Sequence, residues 1–130
     1  MPRLFVIGFA LLLAGCGPRS TAYWVGQLKD PDVVKRRQAI RELGAKNGDA
    51  QVVVPALTEA LQDESSYVRH DAATALGKFG PESKPAIPKL AQLLKDKELS
   101  VRKAAEAALS KIDPDALIKT EPAAKSPRRR

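Results

Sequence analysis

The chain contains a single cysteine and a single histidine among its 130 residues. One cysteine, Cys16, cannot form an internal disulfide, so its thiol is left for another role. The histidine, His70, comes directly after Arg69 in a predicted helix. It lies on the side of that helix opposite the apolar residues, so we expect it to be solvated at the surface. No group of His, Cys, Asp and Glu has metal-ligand spacing, and no glycine-rich loop joins a strand to a helix. We therefore expect no metal site, no cofactor and no enzyme activity.

Aromatic residues are also scarce, at 5% of the chain, while apolar residues make up 44%. A core of Ala, Leu, Val and Ile suits closely packed helices better than a β-sandwich. The formal net charge of +7 is concentrated in residues 119–130, which hold two lysines and three arginines against one glutamate. Because the rest of the chain is only mildly basic, the charge does not indicate a nucleic-acid-binding surface.

The chain lacks the roughly 20 consecutive apolar residues that a membrane-spanning helix needs. Its longest apolar run extends from Leu4 to Ala14, directly after Arg3, and the small residues Ala14 and Gly15 precede Cys16. This three-part arrangement is typical of a secretory signal peptide. The pattern predicts an exported protein with a signal peptide at residues 1–15.

The segment Leu13-Ala14-Gly15-Cys16 resembles the lipobox of bacterial lipoproteins. In that family the signal is cut before the cysteine, whose thiol and new amino group carry acyl chains. The resemblance implies lipidation of Cys16, a short lipidated linker at residues 16–19, and a membrane anchor on the periplasmic or outer face of the cell envelope. Two or more acyl chains make such an anchor stable. An ordinary cleaved signal with an incidental thiol is the alternative.

The most regular feature of the chain is a period of 33 residues. A Leu-Lys/Gln-Asp triplet stands at residues 28–30, 61–63 and 94–96, and an arginine follows each at the same distance. Self-similarity at a period of about 20–50 residues indicates a solenoid of stacked units. The residues in register are Asp30, Asp63 and Asp96; Arg36, Arg69 and Arg102; Ala39, Ala72 and Ala105; and Leu43, Leu76 and Leu109.

Each full unit reads as two helices, because apolar residues recur with helical spacing in both halves. We divide the repeat domain, residues 20–118, into a half repeat at 20–29 and repeats at 30–62, 63–95 and 96–118. Ser20, Ser65 and Ser66 are predicted N-caps, and Gly77 and Gly80 are predicted to end the helix that Ser65 begins. The remaining stretch, 119–130, has too little apolar surface to fold and is predicted to be a disordered basic tail.

Residues 63–77 and 96–109 resemble the short HEAT-like repeat of the phycobilin lyases. The resemblance implies an all-α fold, a short right-handed α-solenoid of stacked antiparallel helix pairs. It also implies that the recurring Asp and Arg residues bond between neighbouring repeats, although an anion-binding ladder is an alternative for the arginines. The first copy departs from the pattern at Lys35 and Glu42, near the end of the array, where atypical residues are expected.

In HEAT-like arrays the second helices line a concave face, which is therefore the candidate partner-binding face. Its solvent-facing residues mix charges of both signs and include no aromatic cluster. Trp24 shares a register with Leu57 and Leu90, so we expect a terminal core residue rather than a binding aromatic. The predicted face consists of Lys29, Glu59, Gln62, Lys89, Gln92 and Lys95.

The sequence thus predicts a monomeric, membrane-anchored HEAT-repeat lipoprotein that acts as a protein-protein interaction module or scaffold, with an unidentified protein partner. One alternative is a lyase-related or non-catalytic subunit like the phycobilin lyases, although export argues against that intracellular chemistry. The other is a structural envelope lipoprotein without a specific partner. The tail arginines Arg128–Arg130 either contact anionic lipid headgroups or remain solvated.

Overall fold

The computed structural model describes residues 19–45 and 48–120, and every regular element within these ranges is a helix. The all-α prediction is confirmed. Cys16 and the predicted signal peptide lie outside the described residues, as do residues 121–130 of the tail. The elements are α1 (Thr21–Gln27), α2 (Val33–Ala45), α3 (Ala50–Ala60), α4 (Ser66–Phe79), a 3₁₀ helix (Gly80–Ala86), α5 (Ile87–Leu93), α6 (Leu99–Ile112) and α7 (Pro114–Thr120).

The helices form the two layers of an α-solenoid. The first helices of the repeats, α2, α4 and α6, pack side by side in one layer. The second layer contains α1, α3, the 3₁₀ helix with α5, and α7. The core lies between the layers, where Leu43, Leu76 and Leu109 of the first layer and Leu57 and Leu90 of the second are fully buried. The 33-residue period therefore places equivalent residues at equivalent depths.

Glycine and alanine let the first-layer helices approach closely. A Cβ atom at Gly77 would lie 3.1 Å from the Cα of Ala108 on α6, and one at Gly44 would lie 3.2 Å from the Cβ of Ala75. Gly77 is therefore a contact residue inside α4, and the prediction that it helps to end this helix is wrong. The helix ends at Phe79, and its C-cap, Gly80, has a φ of 56°, a conformation that glycine adopts readily.

The helix starts use aspartate more than serine. Ser20 caps α1 as predicted, because its hydroxyl accepts a hydrogen bond from the Tyr23 amide at 3.3 Å. Ser65 makes no such bond at α4. Instead, the Oδ1 atom of Asp63 accepts from the Ser65 amide at 2.9 Å, so the carboxylate two residues upstream organises the turn.

Proline delays the start of α5. The pattern predicts a helix from about Pro85, whereas α5 begins at Ile87 after a 3₁₀ helix that contains Pro81 and Pro85. Neither proline has an amide hydrogen to donate to an α-helical ladder. Ser83 fixes the 3₁₀ helix to α4, because it is fully buried and its hydroxyl donates to the Leu76 carbonyl at 2.8 Å.

The C-terminal helix is longer than the sequence indicates. We expect a stub ending at Ile118, but α7 continues through Thr120, and Ala116 is buried against the core. The Oδ1 atom of Asp113 accepts from the Asp115 amide at 3.1 Å, which organises the start of α7. Within the described ranges, none of the helices combines the length and the apolar character needed to cross a membrane.

Candidate interaction surfaces

The recurring arginines and aspartates meet at the junctions between repeats. At the second junction, Arg69 Nε lies 2.8 Å from Asp96 Oδ2, and Nη2 donates to Asp96 Oδ1 at 3.1 Å. Nη1 of the same arginine donates to the carbonyls of Asp63 and Glu64, at 2.9 and 3.1 Å. The guanidinium thus joins the turn of its own repeat to the aspartate of the next. We call the series of such contacts, made by the recurring Asp and Arg residues, the Asp/Arg ladder.

The first junction has the same arrangement. Arg36 Nη1 donates to the carbonyls of Asp30 and Pro31, at 2.9 and 3.0 Å. On its other edge, Nη2 donates to Asp63 Oδ1 at 3.1 Å, and Nε lies 2.9 Å from Asp63 Oδ2 without a well-directed hydrogen bond. Both arginines are buried. This geometry supports a structural role for Arg36 and Arg69 over an anion-binding ladder, because each of the two guanidiniums already faces the carboxylate of the next repeat.

Each recurring aspartate has two roles. Oδ1 of Asp96 accepts from the Glu98 amide at 2.9 Å as well as from Arg69, while Oδ2 faces Arg69 Nε. The hydrogen bond from Arg69 lowers the pKa of the Asp96 carboxyl below its ordinary value of 3.8, and this effect outweighs the cost of burial. The carboxylate form is therefore the one that the folded array requires.

A further ion pair links α2 to α4 in the first layer, and it has no counterpart in the repeat pattern. Arg37 Nε lies 2.8 Å from Asp71 Oδ2, and the Arg37 guanidinium carbon stands 5.2 Å from the ring centroid of Tyr67. Burial raises the pKa of Asp71, but hydrogen bonds from Arg37 and His70 outweigh it and lower the pKa below 3.8. His70 itself is half-exposed, with Nδ1 3.2 Å from Asp71 Oδ1.

In the second layer, a groove of about 850 Å³ runs between α1 and α3. Its apolar lining includes Val25, Leu28 and Pro55. Its rim is charged, and Lys29 Nζ lies 3.8 Å from Glu59 Oε2 across the opening. Both side chains of this pair are highly exposed, so the pair adds little stability and is available to a partner.

A second groove, of about 1400 Å³, lies on the other side of α3, against the 3₁₀ helix. Sequence reasoning did not identify it. One wall of the groove comes from Pro81, Glu82 and Pro85 of the 3₁₀ helix, Gly80–Ala86. Its apolar lining comes from Val54, Pro55, Phe79, Pro81 and Pro85, with Asp49, Lys78 and Glu82 as the charged residues. The prolines at 81 and 85 are the sequence signal that could have revealed it.

The predicted partner-binding face is only partly brought together. Of its six residues, Lys29, Glu59 and Gln62 line the first groove. Lys89 and Gln92 lie on α5, and Lys95 follows that helix; none of the three lines either groove.

The remaining candidate residues have structural positions. Trp24 is buried in the core at the register of Leu57 and Leu90. Among residues 19–45 and 48–120, no three His, Cys, Asp or Glu side chains are grouped so that they could hold a metal ion.

Two solved structures illustrate what the chain resembles in fold. One is the complex of CpcE and CpcF of phycocyanin lyase from Nostoc sp. PCC7120, which is 30% identical with a TM-score of 0.68. That match covers 86% of this chain and 46% of the other. An engineered protein is 22% identical with a TM-score of 0.61, covering 77% of this chain and 50% of the other, and supports the fold alone. The chain therefore spans about half the length of the solved chains that it matches.

Sequence comparison gives the same assignment. No curated protein matches the chain. The family described as HEAT repeats matches residues 21–110, which is most of the chain and includes both junctions of the Asp/Arg ladder. The chain belongs to the HEAT repeat family.

Proposed function

We propose that the chain is an exported lipoprotein that presents a HEAT-repeat scaffold to a protein partner at the cell envelope. The observation that carries the interaction role is the pair of open grooves on either side of α3. Each combines an apolar lining with charged residues at its edge, a composition suited to a protein segment. The HEAT repeat fold is generally non-catalytic, and the similar lyase protein was solved in complex with a partner.

Anchoring through Cys16 is supported by the lipobox-like segment at residues 13–16. Only three residues separate Cys16 from Ser20, the N-cap of α1. A lipid at Cys16 would therefore hold the half repeat close to the membrane surface and leave the later repeats facing away from it.

The interaction role is tested by photo-crosslinking in the native cell. A photoreactive amino acid is introduced at Gln62, which lines the first groove, and at Thr74, an exposed residue of α4 in the first layer. We expect a discrete crosslinked protein from position 62 and none from position 74. Equal crosslinking at both positions, or none at position 62, would contradict a groove-binding scaffold and favour a structural lipoprotein without a specific partner.

The anchor is tested separately with Cys16→Ser. We expect this variant to lose acyl labelling and to move from the detergent phase to the aqueous phase in detergent phase separation. A Cys16→Ser protein that is still processed and remains fully in the detergent phase would overturn the lipoprotein assignment. The crosslinking result does not depend on this outcome.

A lyase-related subunit is the second candidate function, and the match to the phycocyanin lyase complex favours it. In this case the grooves would contact a partner subunit or a pigment-bearing protein. Bilin absorbance that co-purifies with the protein, and is lost when Phe79 in the second groove is replaced by Ala, would support this candidate.

A further inference from the structure

We propose that Arg102 is an unfilled end of the Asp/Arg ladder and binds the aspartate of a partner protein, in a turn that precedes a helix. This surface lies at the C-terminal end of the stack and is separate from the grooves of the proposed function. Arg102 differs in its contacts from Arg36 and Arg69, the two arginines that occupy the same position in the earlier repeats.

The guanidinium of Arg102 is held in the same way as those of its equivalents. Its Nη1 donates to the carbonyls of Asp96 and Lys97, at 2.7 and 3.0 Å. The corresponding distances are 2.9 and 3.1 Å for Arg69, and 2.9 and 3.0 Å for Arg36. The turn of its own repeat therefore fixes Arg102 before any partner arrives.

Arg102 differs from its two equivalents at the other edge of the guanidinium, which carries Nε and Nη2. Arg36 and Arg69 direct Nε and Nη2 at the aspartate of the next repeat. In the described part of the chain no carboxylate lies within 4.0 Å of the Arg102 guanidinium, because no fourth repeat follows within residues 96–120. A planar fork of two N–H donors held in this way matches a carboxylate in a bidentate arrangement.

An exposed leucine lies beside this fork. Leu99 precedes Arg102 by three residues on α6, so both side chains lie on one face of the helix. Leu99 is 55% exposed, whereas its equivalents Val33 and Ser66 are half-buried. The surface thus offers an apolar contact next to a charged donor pair.

The rest of the α6 face limits what can bind. Glu106 is exposed where Ile40 and Ala73 are buried, and Ser110 stands where Gly77 makes its close contact with α6. A complete helix pair would bury Glu106, which is costly without a partner charge. The occupant therefore touches only the end of the helix near Arg102, as an aspartate-bearing turn does.

A second copy of this chain is a poorer occupant than another protein. Its α2 would have to pack on α6, but Lys35 and Glu42 stand where Val68 and Ala75 make the equivalent contacts. Its Asp30 also faces a competing cation, since Oδ2 lies 3.6 Å from Lys35 Nζ, whereas the later repeats carry Val68 and Val101 at that position.

The test is an NMR titration of the full chain in detergent that follows the Nε–Hε signals of the arginines. The probe is a synthetic peptide with the sequence of residues 63–80, which carries an aspartate turn followed by a helix. We expect a saturable shift at Arg102, with no shift at Arg36 or Arg69. An Asp63→Asn version of the peptide should bind about tenfold more weakly, because the charge-assisted hydrogen bonds are lost.

Two variants separate the fork from general positive charge. Arg102→Lys keeps the charge and loses the fork, so it should weaken binding about tenfold, whereas Lys103→Gln should change it less than about twofold. Equal binding of the Asp and Asn peptides, or unchanged binding by Arg102→Lys, would overturn the proposal. An Arg102 Nε–Hε signal that is already protected from exchange in the free protein would also overturn it in two cases. Loss of this protection in Glu121→Gln would identify the tail as the occupant, and loss on dilution would identify a second copy.

Discussion

At the scale of single residues, each arginine and aspartate at a junction between repeats bonds both to backbone groups and to a charged side chain. Arg69 bonds two carbonyls of its own turn and the carboxylate of Asp96, while Asp96 also accepts from a backbone amide. Because the two side chains are only 10% and 8% exposed, neither has water to replace a lost partner. The ladder therefore fixes the angle between successive repeats more than it adds net stability.

Removal of one partner should consequently be costly. We expect Arg69→Ala to lower the free energy of unfolding by about 3 kcal/mol, because it leaves the buried Asp96 carboxylate without its cation and removes the Arg69 donor from two turn carbonyls. The matched control is Arg41→Ala on the exposed side of α2, which should stay within about 0.5 kcal/mol. Chemical denaturation measures both. An unchanged stability for Arg69→Ala, together with loss of partner binding, would reassign this arginine to a binding role.

The lowered pKa of Asp96 makes the same junction sensitive to acid. Since the folded pKa lies below the unfolded one, near 3.8, the carboxylate contributes its full stability well above that pH. This contribution is lost as the pH falls from about 5 through the folded pKa. We expect Asp96→Asn to be less stable at pH 7 and to lose less further stability on acidification, as measured by denaturation at a series of pH values. A slope identical to that of the wild type would contradict this coupling.

Repetition makes the junction residues visible in the sequence, and the resemblance to HEAT-like repeats implies that they bond between repeats. Asp63, Asp96 and their arginines recur at one spacing, so a single packing rule covers every junction. The Arg37–Asp71 pair does not recur, because His70 stands at the equivalent of Arg37 and Gln38 at the equivalent of Asp71. An interaction used once leaves no periodic signal and requires the three-dimensional structure.

At the scale of helices, the spacing of the first layer depends on residues without bulk. We expect Gly77→Ala to destabilise the protein, although alanine favours helix by about 1 kcal/mol over glycine. The new Cβ would lie 3.1 Å from the backbone of Ala108, so α4 and α6 would have to separate.

The control for this substitution is Gly26→Ala in α1, where a Cβ would meet nothing within 4 Å. This variant should be stabilised by up to about 1 kcal/mol, since only the helix propensity changes. Thermal melting of the two variants under one condition distinguishes them. If both substitutions raised the melting temperature, the α4–α6 contact would be looser than the structure indicates.

The ends of helices were less predictable than their existence. The apolar period places α6 at Leu99–Ile112, as observed, because a regular stripe runs along the whole helix. Around Pro81 and Pro85 two conformations compete, since both an α-helical first turn and a 3₁₀ helix tolerate proline near a start. The buried Ser83–Leu76 hydrogen bond favours the second, and that contact is not visible in the sequence.

At the scale of the whole molecule, polar substitutions close both ends of the array. Glu42 stands where Ala75 and Ala108 pack on a preceding helix, and Glu106 stands where Ile40 and Ala73 are covered by a following one. Terminal repeats with a polar outer face keep a solenoid soluble and finite. The groove between α3 and the 3₁₀ helix lies in the middle of the second layer, whereas the groove between α1 and α3 lies at the N-terminal end of that layer.

Because each repeat contacts only its neighbours, the effect of a core substitution should depend on its place in the stack. Leu76 and Leu109 are equivalent and fully buried, but α4 has a first-layer neighbour on each side and α6 has one. We expect Leu76→Ala to lower the free energy of unfolding by about 2–5 kcal/mol and to reduce amide protection throughout the array. Leu109→Ala should instead release α6 and α7 first and leave α2 and α3 protected. Native-state hydrogen exchange of the two variants measures the difference. Uniform loss of protection in Leu109→Ala would show that this short array unfolds only as a single unit, and the C-terminal repeat would then not be an independently mobile end.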